Sequence, residues 1–457
     1  MPKYLIHLAQ CNFDFRRPEL ESLAELYNVE YLIPNGNNNV FTELDAFQTA
    51  PYLILNLEND FAAFNLVKRS ILTMGIYELY GSGQDYDSII SQIASQKTEN
   101  CSFKQFLGQK ETVLKTMRFQ LHTSGARSKY TMTEQIKKFN KFEALNIQNK
   151  ISLKAPDIIY QLFENFDTPE SELPSKVFFT RLVTLSLRSK NILDNLRLNK
   201  RPYIGTTTFE PELSLVTCNL ALVKPYKLTY DPFCGTGGFL STCATIEPKS
   251  MVIGSDLDGR MIRGGSSKSS TNSHITGRKN KNENEDLEKL VGKLEIQNKK
   301  VQGVRLNFKH YKQEEQLLGL MTMDFTHNSL RSSLKIDSII CDPPYGIREG
   351  IKVLGSKNGQ EEKSKYAMRD GKLAYLADDY VAAKKQYSLD ELMIDILKYA
   401  DSRLPLNGRL AFWVPLANAK GIETFVMKKE GGLVLKYNCV QEFNNWARRL
   451  LVYVKTE

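Results

Sequence analysis

The segment Cys341-Asp342-Pro343-Pro344-Tyr345 sets a carboxylate, two prolines and an aromatic ring in a row, directly after the apolar run Ile336 to Cys341. Proline has a fixed φ and no N–H, so the carbonyls of this segment stay rigid and free to accept hydrogen bonds. Pro343 also holds Asp342 extended, which aims its carboxylate off the strand end. Tyr345 supplies a flat π-face one step further on. A carboxylate, a fixed carbonyl and a ring can hold a flat heterocycle by its exocyclic amino group. Asp-Pro alone reads as a turn. The whole tetrapeptide after a buried strand reads as an amine site, with Asp342, Pro343, Pro344 and Tyr345 as its catalytic residues. Cys341 raises the thought of a covalent thiol mechanism, but the last residue of a buried strand reads as a core thiol.

A second constellation lies upstream. Asp231-Pro232-Phe233-Cys234-Gly235-Thr236-Gly237-Gly238 is a glycine loop between a strand and a helix. Gly235 and Gly237 allow positive φ and close approach of a ligand to the backbone. The dinucleotide spacing Gly-x-Gly-x-x-Gly fails, because its third position holds Leu240. An acid at the head of the loop suits an ammonium group rather than a pyrophosphate. Asp256, 25 residues after Asp231, and Asp258 end the next strand, where a carboxylate accepts from ribose hydroxyls. Met323-Asp324-Phe325 ends a third strand, placing a carboxylate and a ring beside an adenine. A nucleoside bearing an amino acid fits this set: S-adenosylmethionine, held by Asp231, Phe233, Gly235, Gly237, Asp256, Asp258, Asp324 and Asp342.

The elements that must position these residues alternate. From Lys227 onward the order is strand, loop, helix, repeated: strands at 227–230, 251–254 and 336–341, a helix at 392–404, a strand at 408–414, a helix near 422–429, then strands at 433–440 and 450–454. Such alternation predicts an α/β fold with a parallel doubly wound sheet, and the closing pair without a helix predicts an antiparallel last strand. One stretch breaks the pattern. Arg263 to about Asp286 is crowded with Gly, Ser, Asn, Lys and Thr and reads as a mobile loop, whether it touches substrate or not. Before residue 205 the chain is α+β: strands at 4–8, 52–57, 116–122, 156–160 and 176–185, with helices at 18–27, 61–73 and 133–142, the last with Thr133 as its N-cap.

At 457 residues the chain is long enough for two or three domains, and 42% hydrophobic with 25% charged residues is a globular balance. Its apolar runs are far short of a membrane span. Seven cysteines without a Cys-x-x-Cys pair, and five scattered histidines, point to reduced intracellular thiols and to no metal site. The net charge of +9 is concentrated: residues 104–154 hold eleven Lys/Arg and three acids. A basic stripe of this kind is the footprint of a polyanion partner. Arg127 and Lys129 in a loop, with Lys137, Lys138 and Lys141 along one helix side, are the candidate RNA-binding residues, although ordinary surface helices often look the same.

The order Thr-Thr-Thr-Phe-Glu-Pro-Glu-Leu-Ser (206–214), Asp-Pro-Phe-Cys-Gly-Thr-Gly-Gly (231–238), Ser-Asp-Leu-Asp (255–258) and Asp-Pro-Pro-Tyr-Gly-Ile-Arg-Glu (342–349) closely resembles the eukaryotic tRNA guanosine N2-methyltransferases acting at position 10. The resemblance covers nearly the whole chain, and Gly346-Ile347-Arg348-Glu349 is its most specific part. It implies an N-terminal ferredoxin-like domain (1–82), a THUMP-like tRNA-binding domain (83–188), a linker (189–204) and a Rossmann-like S-adenosylmethionine methyltransferase domain (205–457). It adds Thr207 and Glu212 to the cofactor-binding set. It also implies a small zinc-binding activator protein as partner, a tRNA substrate and a cytoplasmic setting. The insertion at 263–286 departs from a compact member of the family. Two other readings use the same residues: an adenine N6-methyltransferase on nucleic acid, and a tRNA-binding protein on a scaffold that no longer turns over.

Overall fold

The computed structural model describes residues 1–34, 49–125, 130–264, 269–270, 302–346, 351–355, 368–369, 371–373, 384–416, 430–444 and 446–457. They form two compact units, Met1–Ile192 and Leu193–Glu457. The expected helix at 422–429, most of the insertion at 263–286, and Arg127, Lys129 and Ile347–Glu349 lie outside the described residues.

In the N-terminal unit, β1 (Lys3–Leu8), β2 (Tyr52–Asn56), β3 (Thr73–Gly83), β4 (Met117–Ser124), β5 (Ile158–Asn165) and β6 (Lys176–Leu185) form one sheet in the order β2-β1-β3-β6-β5-β4. Only the β4–β5 pair is parallel. β3 runs through residue 82 and pairs with β1 on one side and β6 on the other, so the sheet is continuous across the expected boundary there. β1 and β4 are not neighbours, yet the rings of His7 and His122 stand 4.5 Å apart between centroids, so the sheet curls on itself.

Helix α1 (Phe13–Tyr27) starts five residues before the expected Pro18, which lies inside it. Helix α2 (Asp60–Val67) ends in a turn at 68–72 that leads into β3 at Thr73, so the expected helix 61–73 is shorter than its apolar pattern suggests. Helix α3 (Tyr86–Ser95) follows, and α4 (Met132–Asn140) is capped by Thr131, not Thr133. Thr131 and Glu134 form a reciprocal capping box, a Thr-x-x-Glu signal present in the sequence.

In the C-terminal unit, β7 (Leu228–Asp231), β8 (Met251–Asp256), β9 (Leu317–Thr322), β10 (Ser338–Cys341), β11 (Arg409–Leu416), β12 (Leu433–Glu442) and β13 (Ala447–Lys455) form a sheet in the order β9-β8-β7-β10-β11-β13-β12. β13 runs antiparallel to both of its neighbours and the other pairings are parallel, as the sequence pattern predicts. All four residues of β10 are buried, the mark of a strand covered on both faces. Helix α5 (Pro211–Leu220) packs with α6 (Gly238–Ile246). Leu392, Ile396 and Ala400 of α7 (Leu389–Arg403) share a core with Tyr230, Ile339, Leu410 and Phe412.

Candidate active site

Strand order reverses at the β7–β10 pair, since β8 and β9 continue to one side of β7 and β11 follows β10 on the other. Ligands of open α/β sheets bind at such a point, beyond the carboxyl ends of the strands. Four carboxylates stand there in spatial order: Asp324 two residues after β9, Asp256 ending β8, Asp231 ending β7 and Asp342 directly after β10. Sequence reasoning named all four, and the topology sets them side by side.

The glycine loop is tied to this row. Gly235 N–H donates to Asp256 Oδ2 at 2.8 Å, and Cys234 N–H donates to the Ser255 carbonyl at 2.8 Å. Gly235 and Gly237 have φ of +50° and +77°, values that L side chains rarely adopt. A Cβ on Gly237 would strike Val304 at 2.5 Å, whereas one on Gly235 would meet nothing within 4 Å. The loop backbone therefore packs tightly on one side and is open at Gly235.

Asp231 is buried, and its Oδ1 accepts the Phe233 N–H at 3.0 Å. Burial, with the like charges of Asp256 and Asp342 adding, holds this carboxyl well above the usual carboxylate range. Burial also raises Asp256, against the opposing N–H bonds of Asp258 and Gly235. Among the described residues none of Asp231, Asp256 and Asp342 forms an ion pair. Clustered carboxyls without ion-pair partners favour a cationic ligand, and S-adenosylmethionine, with its ammonium and sulfonium groups, fits.

Asp258 faces elsewhere. It caps a short turn of helix and binds the Arg260 side chain through both oxygens, at 2.9 and 2.8 Å, which lowers its pKa. Asp324 is buried and occupied: it accepts from Thr326 N–H at 2.9 Å and from Leu354 N–H at 2.7 Å, and contacts His327 at 3.2 Å. The rings of Phe233 and Phe325 stand 5.2 Å apart beside it. Thr207 is exposed in a turn, and Glu212 is half-buried in the first turn of α5.

The Tyr345 hydroxyl donates to Asp342 Oδ1. Burial pushes the Asp342 carboxyl up to about 6, with the Tyr345 bond and Arg448 opposing and Glu210 adding. Pro343 is buried and Pro344 exposed. Cys341 is fully buried and burial raises its thiol far above the usual range, so it is a core thiol. Sequence reasoning missed Arg448, Glu210 and Trp413, which meet beside this loop.

The basic helix is less open than its composition suggests. Lys138 binds the buried carboxylate of Glu164 at 2.6 Å and lies 4.0 Å over the Tyr130 ring, and Lys141 pairs with Asp87 at 2.6 Å. Lys137 has no such pair among the described residues. The described residues hold no metal-ligand cluster, and none of their helices is long and apolar enough to cross a membrane.

Residues 2–188 match the family described as Tmrp11 THUMP N-terminal domain, and residues 199–392 match the RMKL-like methyltransferase domain. The chain is similar to the tRNA (guanine(10)-N(2))-methyltransferase of Saccharomyces cerevisiae, at 43% identity over 99% of this chain and 93% of that one. It is similar to the protein of the same name from Schizosaccharomyces pombe at 31% identity, over 99% and 89%. Among solved structures it resembles TrmN from Thermus thermophilus, with a TM-score of 0.40 and 15% identity over 99% of both chains.

Proposed function

This chain belongs to the tRNA (guanine(10)-N(2))-methyltransferases, and from that premise we propose how its residues divide the work. It is a methyltransferase of the exocyclic N2 of a guanosine in tRNA. The observation that carries the site assignment is the meeting, at the reversal of strand order, of the Asp231 glycine loop with Asp342 at the end of β10.

S-adenosylmethionine, when bound, supplies the methyl group. Asp231 would hold its ammonium, and Asp256 would accept from its ribose, since Asp258 is engaged by Arg260. Phe233 and Phe325 would lie beside the purine, next to the braced Asp324. On the substrate side, the guanosine N2 lone pair is delocalised into the ring. Hydrogen bonds from that amino group to Asp342 and to the Pro343 carbonyl hold the nitrogen pyramidal. Positive charge develops on this nitrogen during transfer, so a fixed carboxylate stabilises the transition state more than the ground state. Tyr345 stacks on the extruded base, its ring fixed by the hydroxyl bond to Asp342.

Residues 1–82 are assigned as the ferredoxin-like part, 83–188 as the THUMP-like part, 189–204 as linker and 205–457 as the methyltransferase domain. The break between compact units at 192/193 falls inside that linker, which supports the division there. Arg127, Lys129 and Lys137 are the basic residues assigned to tRNA. A small zinc-binding activator and a cytoplasmic setting complete the reading.

The test is product identity. The protein, purified with the activator, is incubated with methyl-labelled S-adenosylmethionine and unmodified tRNA, and the nucleosides are separated. Label in N2-methylguanosine supports the assignment. Label in N6-methyladenosine, or none, overturns it.

A further inference from the structure

We propose that Arg448 is a positioning residue of this site: from β13, one strand beyond β11, it holds the Asp342–Tyr345 pair in its charged, hydrogen-bonded arrangement. The proposal rests on the assignment of Asp342 given above.

The register places Arg448. Cys341, the last residue of β10, pairs with Phe412 of β11, and three residues further along β11, Pro415 pairs with Arg448 of β13. Arg448 thus stands level with the chain just beyond Cys341, where Asp342 to Tyr345 leave the sheet. It is buried, at 7% exposure. Strand alternation sends its neighbour Arg449 to the other face, where that side chain donates to Asn438 at 2.9 Å.

Its surroundings fix the guanidinium without quenching it entirely. Nε donates to Gln441 Oε1 at 2.6 Å and Nη2 pairs with Glu210, from the residue capping α5. The Cζ atom lies 4.0 Å from the Phe209 ring centre and 4.6 Å from that of Trp413. Two acceptors and an aromatic floor leave one orientation of the planar fork, which the single ammonium of a lysine would reproduce only in part. Asp342 is a nearby carboxylate without an ion pair of its own among the described residues, and the Arg448 charge acts on both it and Tyr345.

The charged and titratable groups facing Asp342 are Tyr345 from its own loop, Arg448 from β13, Glu210 at the start of α5, and Asp231 and Cys341 at the ends of β7 and β10. Arg448 alone favours the ionised form by its charge. Burial and Glu210 oppose it. Arg448 touches no substrate in this account and acts through Asp342 and Tyr345.

The test is the pH profile of single-turnover tRNA methylation by the protein with its activator. The wild-type rate falls on the acid side, with a midpoint near about 6. Arg448→Met moves that midpoint up by about one unit, the low end of what an opposite charge does at short range. Arg448→Lys returns part of the shift. Glu210→Gln moves the midpoint down. Shifts of opposite sign cannot come from a folding defect, which lowers the plateau and leaves the midpoint alone. An unmoved midpoint in Arg448→Met overturns the proposal whatever its plateau, and if that variant does not fold, an unmoved midpoint in Glu210→Gln does so. Asp342→Asn separates the two claims. If it keeps the acid limb, the limb is not Asp342's and the site assignment itself falls. If it loses the limb while Arg448→Met leaves the midpoint in place, only Arg448 is removed.

Discussion

The two units treat charge in opposite ways. In the C-terminal unit, Asp231, Asp256 and Asp342 stand together at strand ends, and among the described residues none of them has an ion-pair partner. In the N-terminal unit, Lys138 of the basic helix and Lys141 at its C-terminal cap are answered by Glu164 and Asp87 of the same unit. An internally paired charge contributes to the fold, whereas a set of like charges held together by the fold costs stability until a ligand arrives. The comparison therefore predicts loss of function without loss of fold in the first region, and the reverse at Lys138.

The largest effect falls on Asp342. Asp342→Ala lowers single-turnover methylation by about 10²–10³-fold, the scale of one lost electrostatic stabiliser. Thermal stability and cofactor affinity hold. Asp342→Asn keeps an acceptor oxygen and falls between. If both variants lose stability in step with activity, Asp342 belongs to a structural turn and the contrast between the units breaks.

Lys138→Ala is next. It leaves the buried Glu164 carboxylate without its cation, held by neutral hydroxyls such as that of Tyr86, 2.8 Å away. Removing one partner of a buried pair destabilises by about 3–5 kcal/mol. The lysine side chain keeps 22% of its exposure, so about 2–3 kcal/mol is expected in denaturant unfolding. A variant that stays fully stable yet loses tRNA affinity would return Lys138 to the RNA-binding set.

How far the sequence foretold this contrast depends on distance along the chain. The strand-end acids were legible because each follows its own apolar run, and topology then needs only to bring the run ends together. The antiparallel last strand was legible because β12 and β13 follow one another without a helix. Pairings between distant residues were not. Glu164 is 26 residues from Lys138, Asp87 is 54 from Lys141, and Glu210 is 238 from Arg448. No local spacing announces them. Asp258 shows a pairing of the opposite kind, a local one: Arg260, two residues away, holds both of its oxygens, a spacing the sequence reading did not weigh. Thr131 was overlooked as a cap although its Thr-x-x-Glu box was in plain view.

Asp256→Ala sharpens the comparison within the acid row. It raises the cofactor dissociation constant by about 1–2 kcal/mol, the scale of a lost polar partner, as read by calorimetry. Unchanged affinity would mean that the Asp256 carboxylate only braces the Gly235 and Asp258 N–H groups. Lys137→Glu is the smallest change. Stability is unaffected, and the salt dependence of tRNA binding flattens by about one phosphate contact. An unaltered slope would make Lys137 ordinary surface.

The central claim is that the acid row is a cation site waiting for its ligand, and proton linkage tests it most directly. In the ligand-free protein burial holds Asp231 well above the usual carboxylate range, so it keeps a proton at a pH where an ordinary aspartate has lost it. A ligand ammonium beside it lowers that pKa and expels the proton. Calorimetry of S-adenosylhomocysteine binding across the acid range, in buffers of differing ionisation enthalpy, reads this exchange as a net proton release. The account predicts that release in the wild type and its loss, with weaker binding, in Asp231→Asn. Binding without proton release, with Asp231→Asn binding as tightly as the wild type, would contradict it.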